Sequence, residues 1–334
     1  MVRRNQGEGS LGRYTAAVGV DQPQRRTIVW AEPEQESLLR DVLETAGLDL
    51  VAIGAPTARG ASALAKSFDV ASFEELRQAA RRDDADLLWL MAPAPLTADE
   101  RRALGDGPLR VLSSEPRPLD ADVLHVDPPG VAPVDFVPCM RRSPGYRTTI
   151  DTRAEFGRPA TLLIEMGAPP AAGSLFARLY DAMDLLVDLA GEVVTLDAAL
   201  AGSLPGVPER LPDLRGHMTV NTRLADGSCA AIVVSSEAGT WFRNVRLLGP
   251  RGSLRFDDAR YAWDGDDVAE TGGPDERPSL ATLIADEIDR GPGPMDALVP
   301  DTADVLALCE SARLSARTGD GETPRRVRQR LQHP

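Results

Sequence analysis

Apolar residues in the first third of the chain fall in short runs separated by stretches with helical spacing. Thr27-Ile28-Val29-Trp30-Ala31 reads as a buried strand, after which Leu38, Leu39, Val42 and Leu43 recur at helical intervals. Leu48–Gly54 predicts a second strand, 60–68 a second helix and 70–73 a short strand. Ser72 followed by Glu75 has capping-box spacing and predicts a helix over 73–82. Ala85–Met91 reads as a strand, Thr97–Leu104 as a helix and Leu109–Leu112 as a strand. Such alternation predicts a parallel sheet covered on both faces.

The pattern changes near Pro128-Pro129-Gly130. Beyond it the chain predicts helices over 146–156 and 175–190 and strands over 160–166 and 193–198. Strand pairs follow around Ala225-Asp226-Gly227, Gly249-Pro250-Arg251 and Asp264-Gly265-Asp266. Helices over 278–289 and 300–316 close the second half. The expected division is a leader over 1–26, an α/β domain over 27–126, an α+β domain with a large, mostly antiparallel sheet over 127–320, and a solvated arginine-rich tail over 321–334.

At 334 residues and 43% hydrophobic content, two ordinary cores are within reach. The net charge of −14 argues against a nucleic-acid partner. Lys66 is the sole lysine, so any amine chemistry must use it, although a solvated helix position is its plain reading. Cys139, Cys229 and Cys309 are scattered and odd in number, which predicts free thiols in a reduced, cytoplasmic chain. His125, His217 and His333 show no metal-ligand spacing, so no metal is expected. No run approaches the ~18 apolar residues of a membrane span.

The junction between the first strand and first helix carries the most chemical information. A dinucleotide-binding βαβ unit places Gly-x-Gly-x-x-Gly here, so that backbone can approach a diphosphate at the helix N-terminus. This chain has Ala31-Glu32-Pro33-Glu34-Gln35-Glu36. Three carboxylates suit the positive end of a helix. Against a diphosphate they would cost roughly 1–4 kcal/mol per close pair.

Several later segments carry a resemblance. Val134–Tyr146 contains Arg142-Ser143-Pro144, and Phe156-Gly157-Arg158-Pro159-Ala160 follows. Gly173-Ser174 precedes Asp181-Ala182-Met183-Asp184-Leu185-Leu186. Leu224–Gly227, Leu247–Leu254 and Ala303–Gly319 complete the series. In this order and spacing they resemble the glucose–fructose oxidoreductase / inositol dehydrogenase / MocA (Gfo/Idh/MocA) family over about 27–320. The resemblance implies a Rossmann-like first domain, NAD(P)-dependent chemistry on sugars or cyclitols, and oligomers formed through the open face of the large sheet.

The residues that the resemblance would make functional are replaced. Ala31, Glu32 and Glu34 stand in the coenzyme turn, and Gly54 stands where an acidic ribose ligand is implied. Arg59 is a candidate for a 2′-phosphate. Glu115, in Ser114-Glu115-Pro116, takes the implied lysine position. Ala177 and Asp181 take the implied aspartate and general acid/base histidine positions. Asp181, Tyr180 and Glu115 remain as catalytic candidates, with Arg141, Arg142, Arg178 and Asp184 as candidates for lining a substrate cleft. Trp241 and Phe242 read as exposed aromatics of an interface.

Three readings stay open. A degenerate member binds no cofactor and acts as a structural or regulatory subunit, in homo- or hetero-oligomers through the large sheet. An active oxidoreductase retains NAD(P) through non-standard contacts. A non-redox protein holds a sugar-like ligand.

Overall fold

The computed structural model describes residues 24–79, 81–94, 96, 100, 104, 109–117, 119, 134–202, 206–265, 268–290 and 302–332. The leader (apart from 24–26), most of the helix expected over 97–104, the turn at 128–130, His125 and His333 lie outside them.

The first half opens with β1 (Arg26–Trp30), α1 (Glu36–Ala46), β2 (Asp49–Gly54), α2 (Ala58–Phe68), β3 (Ala71–Phe73) and α3 (Leu76–Ala79). It continues with β4 (Leu87–Leu90), β5 (Arg110–Ser113) and β6 (Val134–Phe136). All six strands pair in parallel, in the order β3-β2-β1-β4-β5-β6. Leu87–Leu90 is buried along its whole length, as a central strand covered on both faces must be. α1 ends at Gly47 in the left-handed conformation (φ 60°), and Thr57 caps α2 by accepting from the Gly60 amide at 3.1 Å.

The second half comprises α4 (Pro144–Thr148), α5 (Ile150–Phe156), β7 (Thr161–Gly167), α6 (Leu175–Ala190), β8 (Val193–Ala201), β9 (His217–Leu224) and β10 (Cys229–Ser235). β11 (Phe242–Gly249), β12 (Gly252–Asp257), β13 (Tyr261–Asp264) and β14 (Ala269–Gly272) follow. The chain then forms α7 (Leu280–Arg290), α8 (Thr302–Thr318) and α9 (Pro324–Gln332). The eight strands run in the order β14-β13-β12-β11-β7-β10-β9-β8, with only β7 and β10 parallel. α6 lies across one face and buries thirteen of its sixteen residues. A helix so covered must satisfy every polar group it carries, and that requirement organises the site. Among the described residues, no helix is long and apolar enough to cross a membrane.

The two-domain α/β plus α+β architecture matches the sequence reading; several details differ. β6 lies beyond the expected boundary at 126/127 yet completes the first sheet. α7 likewise returns to the first core, where Ala281, Ile284 and Ile288 pack with Val29, Leu39 and Val42. The capping box at Ser72 does not form, because Ser72 pairs with Ile53 inside β3, and only the four-residue α3 follows. The helix expected over 146–156 breaks at Thr149, whose hydroxyl donates to the Tyr146 carbonyl at 2.6 Å. Gly145 in α4 sits against β12, where an added Cβ would meet the Asp257 carbonyl at 1.9 Å.

The C-terminal segment is the clearest departure from expectation. Its arginines suggested a solvated tail, but 324–332 is helical and packs on α8 and β8. Val327 anchors it at 2% exposure. Val327→Asp should therefore lower unfolding free energy by roughly 2–4 kcal/mol, read from denaturant midpoints; an unchanged midpoint would show α9 to be dispensable.

Candidate functional site

The strand order reverses direction between β1 and β4, and in doubly wound sheets ligands bind beyond the strand ends at such a point. Residues 31–36, after β1, lie there. A glutamine, not a glutamate, fills this turn. Gln35 is buried; its Oε1 accepts from the Glu32 amide at 2.9 Å and its Nε2 donates to the Met91 carbonyl, just past β4, at 3.1 Å. The three glutamates are less covered: Glu32 and Glu34 are exposed, and Glu36 accepts from Arg40 and from the hydroxyl of Ser67 in α2. Of the turn's four polar side chains only Gln35 is buried, and Glu32 and Glu34 stay solvated beside it. At full hydration, like charges 4 Å apart cost only about 1 kcal/mol.

The turn still departs from a glycine loop. Pro33 offers no amide, and residues 33–35 pack beside 170–172 of the second domain. The adenosine end is more open. Gly54 at the tip of β2 is buried under Trp30 and Phe73, whereas Thr57 and Arg59 are exposed at the start of α2. No ion pair engages Arg59 among the described residues.

Glu115 leaves the end of β5 and crosses to the second domain. Its Oε1 accepts from the Ser174 amide at 2.8 Å and its Oε2 from the Ser174 hydroxyl at 2.5 Å. Ser174 in turn caps α6 by accepting from the Ala177 amide at 3.0 Å. A carboxylate thus sits at the positive end of a sixteen-residue helix, a favourable place for negative charge. Glu115 is 1% exposed, and burial raises its pKa against the opposing effect of the Ser174 bonds and of Arg178.

Asp181 lies one turn along α6. One oxygen accepts from the Met140 amide at 2.9 Å, and the other pairs with Arg243 Nη1 at 2.9 Å. Arg243 also donates through Nε to Asp258 at 2.7 Å and through Nη1 to the Pro138 carbonyl at 3.0 Å. Burial acts to lower its pKa, but Asp258 and Asp181 outweigh that effect and raise it. Arg178 is as deeply buried (0% exposed), yet Nε, Nη1 and Nη2 all lack a hydrogen-bond partner. Burial lowers its pKa to about 10. Trp241 spans both guanidinium groups, 4.5 Å from Arg178 and 5.0 Å from Arg243, and its Nε1 donates to Asp258 at 2.9 Å. Trp241 therefore faces inward over a charged cluster, which corrects its reading as an interface aromatic.

Tyr180 stands apart. It packs edge-on against Phe136 and Phe176 and bonds Thr302 of α8, away from Glu115. It is removed from the catalytic candidates. Arg141, Arg142 and Asp184 belong to a buried ion network that adjoins Asp181. Arg141 pairs with Asp184 and Asp188 at 3.4 Å each, and Arg142 reaches Glu287 of α7 at 3.5 Å and Asp135 of β6 at 3.7 Å. This network joins the domains.

The structure thus unites Glu115, Arg178 and Asp181, turns Tyr180 away from them, and places Asp184 and the Arg142–Glu287 pair next to Asp181, whose charge both carboxyls feel. Sequence reading missed Gln35, Ser174, Arg243, Asp258 and Glu287 as site and network residues. Arg243 had a signal: it alternates with Val245 and Leu247 on the inward face of β11. His217 is exposed on β9, 4.0 Å from Glu237. Among the described residues no three His, Cys, Asp or Glu gather as a metal site.

Two buried carboxyls in the ion network give the protein a pH dependence. Burial raises Asp184 from 3.8 to about 7 despite Arg141, and raises Glu287 from 4.5 to about 8 despite Arg142. Below about pH 4 both folded and unfolded chains are protonated and the contribution of these groups is complete. Rising pH strips the unfolded chain first, so the contribution is lost on approach to the folded values of about 7 and 8. Tm should therefore fall across this interval in calorimetry, and Glu287→Gln should flatten the upper part; a wild-type curve rising towards pH 8 would contradict this assignment.

No family model and no curated protein matches the chain. Solved structures do. A levoglucosan dehydrogenase in complex with NADH and L-sorbose superposes with a TM-score of 0.63 at 14% identity, covering 90% of this chain and 99% of its own. A putative myo-inositol dehydrogenase from Sinorhizobium meliloti gives 0.57 at 16%, with coverage of 90% and 99%. A UDP-N-acetylglucosamine 3-dehydrogenase from Acidithiobacillus ferrooxidans gives 0.58 at 18%, with coverage of 89% and 99%. The NADH complexes of levoglucosan dehydrogenase overturn the expectation that no cofactor takes part, since the same architecture carries a nicotinamide coenzyme in these neighbours. The chain has the two-domain fold of Gfo/Idh/MocA-type dehydrogenases.

Proposed function

We propose that this protein binds a nicotinamide coenzyme and a sugar-like ligand on a dehydrogenase fold, and acts as a regulatory or structural subunit with its hydride-transfer chemistry suppressed. One observation carries the reading: both carboxylates at the chemistry positions are committed to structure. Oxidation of an alcohol releases a proton with the hydride, so a base must reach the hydroxyl. Both Glu115 oxygens are occupied by Ser174, and both Asp181 oxygens by Met140 and Arg243. Among the described residues, no lysine or histidine stands in this cluster.

The coenzyme would supply or accept hydride. The residues that would hold it are Thr57 and Arg59 at the adenosine end and the Gln35-pinned turn beneath the diphosphate. Exposed Glu32 and Glu34 weaken that binding without abolishing it. Arg59, with Gly54 and no acidic residue at the β2 tip, favours a 2′-phosphate over a free ribose diol.

Calorimetric titration should show NADPH binding more tightly than NADH, with Arg59→Glu weakening NADPH by roughly tenfold, about 1.4 kcal/mol. Nicotinamide absorbance should stay constant with sugars and cyclitols. Failure of both coenzymes to bind, or turnover at the ~1–10³ s⁻¹ of ordinary enzymes, would overturn the proposal. The active-oxidoreductase reading has one observation in its favour: burial raises the pKa of Glu115 and so makes its carboxylate more basic; turnover lost in Glu115→Gln would establish it.

The partner surface belongs to the same proposal. The face of the eight-stranded sheet opposite α6 carries Leu163, Ala231 and Val233 beside Glu165, Arg246 and Arg255 around an open hollow of about 980 Å³. Val233 is 45% exposed. Small apolar residues flanked by both charge signs suit a second copy or a homologous subunit. Sedimentation should give a dimer or larger, reduced to monomer by Val233→Asp; a monomeric wild-type chain leaves only the hetero-oligomer, to be sought with an active homologue. The free thiols at Cys139, Cys229 and Cys309 support a reducing, cytoplasmic setting.

A further inference from the structure

We propose that Arg178 is an anion-recognition residue: the sugar-like ligand carries a carboxylate or phosphate that docks on the Arg178 guanidinium edge, with Trp241 as its cover. This rests on the reading above that the crevice takes a sugar-like ligand, and it names the chemical class.

The starting point is a contrast between buried arginines. Arg243 and Arg141 each meet two carboxylates within 3.4 Å. Arg178, fully buried, meets none, and all three of its nitrogens lack an acceptor. A guanidinium has five N–H donors in a planar fork, and leaving them unmet in an apolar surrounding is strongly unfavourable. Such an arrangement persists where the missing acceptor arrives with a ligand. One face of the fork is taken by Trp241, so only its edge remains for an acceptor. Planar edge-on recognition of oxyanions is what the guanidinium does best.

The edge lies beside Gly173 at the start of α6. A Cβ built on Gly173 would lie 3.5 Å from Arg178 Nη2 and 3.6 Å from the Ser114 carbonyl, at the end of β5. Gly173 has φ 116°, which side-chain-bearing residues rarely adopt, so no side chain intrudes beside the fork. The α6 N-terminus adds a favourable field for negative charge. Acidic neighbours oppose an anion: Glu115, Asp181 and Asp258 face this cluster, balanced by Arg243 and Arg215. Trp241 is only half-buried and is held by one hydrogen bond to Asp258, so rotation of this single side chain would uncover the guanidinium and give a ligand a way in.

The experiment uses the full chain with D-glucuronate, D-gluconate and glucose 6-phosphate as anionic probes and glucose and myo-inositol as neutral ones, read by thermal shift and titration. At least one anion should raise Tm while its neutral counterpart does not; the carboxylate and phosphate arms distinguish the two sources. Arg178→Met should fold with an equal or higher Tm, because it removes an unpaired buried charge, and should lose the anion response. Arg178→Lys, which keeps the charge without the fork, should bind the same anion roughly tenfold more weakly. Equal responses to neutral and anionic sugars, no response to any anion, or an anion response retained in both variants would overturn the inference. Coenzyme titration without sugar separates this failure from failure of the functional reading.

Discussion

The contact between Glu115 and the start of α6 governs the arrangement around it. A carboxylate from the end of a parallel strand serves as the anion for a helix in the other domain. That one bond pair fixes how the crevice edge of the first sheet meets the second domain. It also determines what the crevice can do. A group committed to holding a helix end is not free to shuttle protons, because each transfer would break the cap and leave a buried amide unmet. Structure and chemistry compete here for the same two oxygen atoms, and the distances show structure holding both.

Charge balance extends this logic along α6. Asp181 and Arg243 compensate each other where a histidine would otherwise act, with Asp258 and the Pro138 carbonyl completing the set. Removing one member would strand its partner in the interior, which is far more costly than never having placed the pair there. Arg178 is the exception, a cation in the same core without a matching oxygen.

Much of the architecture was legible from local pattern. Helix 175–190 emerged with the limits expected from its apolar repeat and its flanking Ser174 and Gly191. The hairpins followed from Asp226-Gly227 and its counterparts. Failures arose where composition stood in for contact. The glutamates of the first turn were read as its filling, but side-chain direction is set by three-dimensional packing, and Gln35 fills it. The arginines of 325–330 masked the single apolar residue, Val327, that docks α9. Tyr180, three residues from Ala177 and one from Asp181, looked local to the chemistry, yet helix rotation carries it to the opposite side.

The Gln35 bracket changes the thermodynamics of whatever rests on that turn. A glycine-rich loop explores many backbone states when empty and must be immobilised by its guest. Here two side-chain bonds freeze the bend in advance, so any ligand resting on it would meet a pinned surface and lose less disorder on arrival. Recognition through such a rigid platform depends on shape more than on adaptability, and a guest of slightly different outline is rejected instead of accommodated.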